Sequence, residues 1–481
     1  MSPFKRPMML ALLALLALSQ ARAADTRPKV LVLTGSGPSL PHAQQYPPWV
    51  HEFQNEEVAR ILEDSVHVDV VGDLSVLDEA RLAPYEVVVS NSLFLTPTPA
   101  QLEALRNHVT GGKALLTLHS GILSFLNADF YEEMIGGLFI GGPTKDPGTF
   151  DVVTENMEFW YYGYAFRPAR RHPVSAALGD FEATDELYYF QPGDRDLQVI
   201  ARAENHPVMW ERRWGSGRVM SLVLGHDLRA KRNPGYRALL RNGVRWLAGY
   251  PVVQPVRDMR VDADAGRVEG ALDLARLAAD RETGPLEFSL AGVDGDDVVD
   301  VHLDRRGRLD LDVRGREGVA TVTVAVRGSR GLASTVAFKV AVDARRHGDL
   351  ARYHGVRAQV SSVEARDDVK DAGHLVDGDP ATRWASASVD PSWAMVDLGR
   401  TLAFNTVALH WDEAFATRYE IQVSDDPARG WRTVFTESDG DGGHDEIRFP
   451  TVQARHVRML GHRRKVPQWG YSLYELAVYN R

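Results

Sequence analysis

The chain of 481 residues contains no cysteine. That absence excludes a disulfide framework, a thiolate metal centre and any mechanism with a cysteine nucleophile. An excess of positive charge is missing too. Against 65 Asp and Glu stand 55 Lys and Arg, for a net charge of −10 and a pI near 5.9. Such a chain makes no field that draws in a phosphate backbone or an anionic lipid surface, so no nucleic-acid partner is expected. Beyond the first residues there is no run of ~18 apolar residues, so no transmembrane segment is expected. The N-terminal stretch has a basic Lys5-Arg6 pair, an apolar run from Met8 to Leu18 and a small-x-small Ala21-Arg22-Ala23 site. Residues 1–23 therefore read as a secretory signal and the rest as a secreted or periplasmic protein. An oxidising compartment suits a chain without thiols.

What is present asks for several domains. Residues 24–250 alternate short apolar runs with helical periodicity. "KVLVLTGSG", "VHVDVVG", "YEVVVSNS", "KALLTLHSG" and "RVMSLVLGHD" read as strands. "EFQNEEVARILED" and "YRALLRNGVRWLAG" read as amphipathic helices. "TPAQLEALRNHVTGG" adds a third, with Thr98 as N-cap and Pro99 at the first helical position. Alternation of this kind predicts βαβ units and a parallel sheet. Residues 251–347 lose the helical period and show short alternating runs between Gly and Asp turns, which predicts a β-sandwich spacer. Residues 348–481 are again all-β.

The polar residues with chemical capacity gather in the first domain. His119 and His226 each follow an apolar strand, and the carboxyl edge of a parallel sheet is where ligands bind. Asp227 adjoins His226, and Asp185-Glu186 lie in "TDELYYF". A histidine and a carboxylate supply base and acid near neutral pH, and together they also suit a divalent metal. His119, Glu186, His226, Asp227 and Asp185 are the candidate catalytic residues. Ser120, His51, Glu52, Trp160 and Tyr188 are candidates for substrate contact. Ser120 is also a candidate nucleophile, although "HSG" lacks the G-x-S-x-G elbow of hydrolases.

Two resemblances refine this. "GGKALLTLHSG", "FYEEMIGGLF", "RHPVSAAL", "FEATDELYYF", "PVMWERRWGSGRVMSLVLGHD" and "YRALLRNGVRWLAG" occur in an order that resembles the ThuA-like, or trehalose-utilisation, family. The resemblance implies a class I amidotransferase-like (flavodoxin-like) α/β fold without its cysteine, and work on a sugar or 3-keto-glycoside by hydrolysis or isomerisation. Where that family often has a second histidine, this chain has Gly141, Gly142 and Pro143. The spacer resembles the immunoglobulin- or cadherin-like domains of secreted bacterial proteins.

In the C-terminal segment "VDGDPATRWAS", "WAMVDLG", "YEIQVSDD", "WRTVF", "ARHVRMLGHRR" and "WGYSLYELAVY" resemble the discoidin, or coagulation-factor C-type, family: an eight-stranded β jelly roll that binds sugars or other surface ligands. Asp377, Asp379, Thr382 and Glu475 supply oxygen ligands of the kind calcium takes, and the resemblance implies a structural Ca2+ there. Trp469, Arg463, His462 and Trp411 are the candidate glycan contacts, with Trp384 and Trp393 assigned to the core. A carbohydrate-active protein is the leading expectation. A non-catalytic glycan-binding scaffold and a serine hydrolase using Ser120 are the alternatives.

Overall fold

The computed structural model describes residues 27–37, 53–143, 147–154, 159–161, 164–166, 172–193, 197–344, 348–364 and 371–481. The chain divides into two compact units. The first takes the residues up to 254 with 278–286 and 327–334; the second takes 255–277, 287–326 and 335–481.

The strands of the first unit are β1 (Lys29–Ser36), β2 (His67–Val71), β3 (Tyr85–Leu93), β4 (Ala114–Leu118), β5 (Gly137–Gly141), β6 (Gly148–Val153), β7 (Phe159–Tyr161), β8 (Tyr164–Phe166), β9 (Phe181–Asp185), β10 (Tyr189–Pro192), β11 (Gln198–Ala203), β12 (His206–Trp214) and β13 (Gly217–Leu222). Nine of them form one sheet in the order β2-β1-β3-β4-β13-β12-β11-β6-β9. The half from β2 to β13 is parallel. Its middle strands are apolar at their centres, with Val30 to Leu33 and Val87 to Val89 fully buried, as expected for strands covered on both faces.

The other half corrects the expectation of a wholly parallel sheet: β12, β11, β6 and β9 pair antiparallel. The connections decide this. Only Glu204 and Asn205, both at positive φ, join β11 to β12, and only Gly215 and Ser216 join β12 to β13. Two residues suffice for a hairpin but not for a parallel crossover.

The helices are α1 (Asn55–Leu62), α2 (Glu79–Leu82), α3 (Pro99–Thr110), α4 (Tyr131–Ile135), α5 (Leu228–Arg232) and α6 (Pro234–Ala248). At the start of α3, Thr98 accepts from the Gln101 amide while the Gln101 side chain accepts from the Thr98 amide. The face of α6 that carries Leu239, Leu240, Val244 and Leu247 is buried, and the helix stops at Gly249 with φ 96°.

The segment 251–347, expected as one spacer, is shared between the units. Within the first, β14 (Val252–Val253) pairs with β17 (Ala278–Ala279). Arg281 is buried there and its guanidinium donates to the carbonyls of Leu247 and Gly112. A buried cation of this kind is held by the backbone it serves.

In the second unit, β15 (Met259–Asp262), β16 (Arg267–Asp273), β18 (Glu287–Asp294), β19 (Val299–Leu303), β20 (Arg308–Val313), β21 (Gly318–Arg327) and β22 (Ala333–Asp343) make two small sheets, β15-β22-β21-β18 and β16-β20-β19. Strict alternation along β21 buries Ala320, Val322, Val324 and Val326. The C-terminal part is an antiparallel β-sandwich of β23 (Arg357–Val360), β24 (Trp384–Ala385), β25 (Ser392–Trp411), β26 (Ala416–Ser424), β27 (Arg432–Glu437), β28 (His444–Arg464) and β29 (Ser472–Tyr479). The pairing of β25 with β28 shifts register between Asp397 and Leu402 and between Phe404 and Thr406. Such bulges bend long strands. Trp384, Phe404, Tyr419 and Tyr471 fill the interior.

Candidate functional site

β4 ends at Leu118, and the chain turns at once into a 3-10 segment, His119–Leu123. His119 takes φ 44°, a left-handed conformation that a non-glycine residue adopts at a cost. The turn is braced from below. A Cβ on Gly121 would lie 2.2 Å from the Ser90 carbonyl oxygen, so only glycine fits. The hydroxyls of Ser90, Ser92 and Ser124 bond one another at 2.8–3.0 Å, and Tyr131 donates to the Gly121 carbonyl at 2.5 Å.

This turn delivers the His119 ring into a cluster. Nδ1 donates to the Val223 carbonyl at 2.8 Å, so it must carry a proton. Nε2 stands 3.0 Å from Glu186 Oε2 and 3.2 Å from His226 Nδ1. His226 Nδ1 is 2.8 Å from the same Glu186 oxygen. The Tyr188 ring lies over His119 with centroids 4.0 Å apart. Burial pushes the Glu186 carboxyl up, but the bonds from His119 and His226 outweigh it and hold the group well below the usual carboxylate range.

Asp185 sits beneath, buried, and works through the backbone. Oδ2 accepts the Gly225 amide at 2.5 Å; Oδ1 accepts the amides of His226 at 3.0 Å and Glu186 at 2.9 Å. One carboxylate therefore ties together the two chain segments that bear Glu186 and His226. Burial pushes its carboxyl up against the pull of these amides. Lys231, also buried, donates to the Gly225 carbonyl, and burial brings its ammonium down to about 8. Gly225 has φ 105°, and an added Cβ would strike the Tyr236 ring.

Residues 29–247 match a family model described as trehalose utilisation, ThuA. Residues 374–459 match a second, described as a NedA-like, galactose-binding domain of the coagulation factor type C group. The chain carries a ThuA-like domain and a discoidin-like domain. No curated protein matches the chain. Among solved structures it is similar to chitosan-binding module 1 of a chitosanase/glucanase from Paenibacillus sp. IK-5. The identity is 43%, over 28% of this chain and 100% of that one, with a TM-score of 0.26. It is also similar to module 2 of that enzyme in complex with chitotriose, at 39% identity over 26% of this chain and 95% of that one, with a TM-score of 0.25.

In the ThuA-like domain, His119, Glu186 and His226 come together, but not all from parallel strands as the sequence reading had it. Glu186 follows β9, an antiparallel edge strand, and His226 lies four residues beyond β13. Asp227 does not join them: its Oδ1 caps α5 by accepting the Ala230 amide at 2.8 Å. Ser120 is buried and its hydroxyl donates to the Ser92 carbonyl at 3.2 Å, which takes it away from any substrate. Tyr188, a candidate for substrate contact, is buried against the His119 ring. His51 and Glu52 lie outside the described residues, and so does the side chain of Trp160.

The supports that sequence reading missed are the Val223 carbonyl, the backbone role of Asp185, and Lys231. The polar end of an otherwise apolar strand, Ser90-Asn91-Ser92, was a legible signal of the brace under His119.

In the discoidin-like domain, Trp469 is 51% exposed, whereas Trp411 is 3% exposed and donates to Asp445. Trp411 is therefore a core residue, and so is Trp384. Trp393, assigned to the core, is partly exposed. His462 pairs with Glu420 at 3.1 Å and Arg463 donates to Thr417 at 2.8 Å. Thr382 donates to Asp377, which also meets His374 at 3.0 Å and Arg257 at 2.9 Å. Arg257 reaches Asp379 at 3.6 Å. Glu475 Oε1 accepts no hydrogen bond, and burial pushes its carboxyl up to about 7.

Proposed function

We propose that this is a secreted carbohydrate-active protein. Its ThuA-like domain acts on a sugar or a 3-keto-glycoside, and its discoidin-like domain holds it on glycan. The observation that carries this is the convergence of His119 Nε2, Glu186 Oε2 and His226 Nδ1 to within 2.8–3.2 Å, in a domain that matches the trehalose-utilisation model. An imidazole and a carboxylate in contact can take the proton from the carbon beside a ketone and return one to the departing alcohol. The fitting architecture is a flavodoxin-like parallel half of the first sheet, an immunoglobulin-like spacer, and a cleaved signal peptide at 1–23. Calcium at Asp377, Asp379, Thr382 and Glu475 belongs to the same reading. Glu475, a half-buried carboxylate whose Oε1 accepts no hydrogen bond and has Arg352 at 3.8 Å, supports it.

One observation favours the competing reading of a non-catalytic glycan-binding scaffold: the three site groups already contact one another at 2.8–3.2 Å. The serine-hydrolase reading loses its nucleophile with the burial of Ser120.

The test is a pair of assays on the full chain. His119→Ala is expected to lower turnover of a soluble 3-keto-disaccharide by about 10²–10⁴-fold and to leave retention on insoluble polysaccharide unchanged. Trp469→Ala is expected to do the reverse. Absence of any turnover by the intact chain across keto-disaccharides would leave the scaffold reading standing.

A further inference from the structure

We infer that His119, His226 and Glu186 form a binding site for one divalent transition-metal ion in the ThuA-like domain, with His119 Nε2, His226 Nδ1 and Glu186 Oε2 as ligands. This goes beyond the sugar chemistry above and holds or fails independently of it.

The argument starts with protons. The Val223 carbonyl fixes the proton of neutral His119 on Nδ1, so the Nε2 lone pair points at Glu186 and His226. A hydrogen bond from one ring nitrogen to a backbone carbonyl is the usual outer support of a metal-bound histidine. Three electron-rich atoms then face one another at 2.8–3.2 Å. A proton or a metal ion shared among them joins such a set. Ligands about 2.0–2.1 Å from one ion are themselves about 3 Å apart, so the spacing already suits an ion. Among the described residues, this is the group of His, Asp and Glu whose ligand atoms lie close enough to share one.

Two more features separate a site from a chance cluster. The arrangement is held from outside: Asp185 grips the amides of both Glu186 and His226, and the strained His119 backbone is locked by the turn below it. It is also open on one side. The His119 side chain is 4% exposed, but Glu186 is 20% and His226 38% exposed, so three protein ligands leave room for water or a substrate oxygen. Two imidazoles with one carboxylate favour zinc, manganese, iron or cobalt over calcium and magnesium, which prefer oxygen alone.

The competing occupant is a shared proton, and the experiment separates the two. The full chain is stripped with chelator and titrated with Zn2+, Mn2+ and Ca2+ by calorimetry, with metal content measured after gel filtration. One Zn2+ or Mn2+ per chain at micromolar affinity or tighter is expected. His226→Ala, at the exposed edge, should weaken it by at least about 100-fold, and so should Glu186→Gln. His302→Ala, an exposed histidine of the second unit, should not change it. No binding below millimolar metal, or binding undiminished in both site variants, overturns the inference. Metal bound without turnover sinks the sugar chemistry and keeps the site. Turnover by metal-free protein with no binding does the opposite.

Discussion

Asp185 shows how a single residue can matter without touching a substrate. It accepts three backbone amides, and truncation to Ala would orphan all three. At about 1–3 kcal/mol for each unsatisfied buried amide, Asp185→Ala should cost on the order of 3 kcal/mol or more. The measurement is a thermal melt of the full chain, and an unchanged first transition would refute the clamp. His108 makes a second case. Burial lowers its pKa from 6.5 to about 4, and its Nε2 is buried with no partner. The folded value lies below the unfolded one, so the unfolded chain binds the extra proton. The sign is therefore a loss of stability as pH falls from about 6.5 to 4, at most on the order of 3 kcal/mol. His108→Gln should flatten that part of the stability profile and leave melting at pH 8 nearly unchanged.

At the scale of elements, the turn after β4 depends on one backbone approach. A Cβ on Gly121 meets the Ser90 carbonyl at 2.2 Å, and backbone cannot give way as a side chain can. Gly121→Ala should push the 3-10 segment off β3, displace the His119 ring and lower both the melting temperature and any turnover. Full activity in that variant would show that the turn is not what aims His119. The helices contrast with this turn in how they can be read. α3 and α6 were legible because apolar period, cap and stop lie within one local stretch. The antiparallel half of the first sheet was not, because its strands are short and its pairing depends on two-residue turns whose positive φ shows only in the fold.

At the scale of the whole molecule, two units carry separate chemistry. The four oxygen ligands proposed for calcium all lie in the second unit, the His-Glu-His cluster in the first. In protein already stripped of transition metal, calcium should therefore raise the unfolding transition of the second unit and leave that of the first in place, and zinc should not raise the second. A ligand at a hundredfold over its dissociation constant stabilises the folded state by about 2.7 kcal/mol. An unaltered melt would mean that Arg257 and His374, which already pair with Asp377, and Arg352, which pairs with Glu475, balance these carboxylates without an ion.

The sequence by itself determined what is local: which runs are apolar, where α3 and α6 start and stop, and that a histidine follows a buried strand in a chain without thiols. These follow from periods of 2 and 3.6 residues and from capping chemistry, which need no distant partner. Trp411 and Trp469 mark the limit. The residue type is the same, yet one is core and the other exposed, because burial depends on what the rest of the chain lays over each. The site itself was decided only by tertiary structure. His119 meets Glu186 across 67 residues of chain and His226 across 107. Asp185, read as a candidate catalytic residue, became the strut that holds the two segments together. Pattern along a chain reports which side chains can do chemistry. Only the packing of β9 and the loop after β13 brings those side chains within bonding distance.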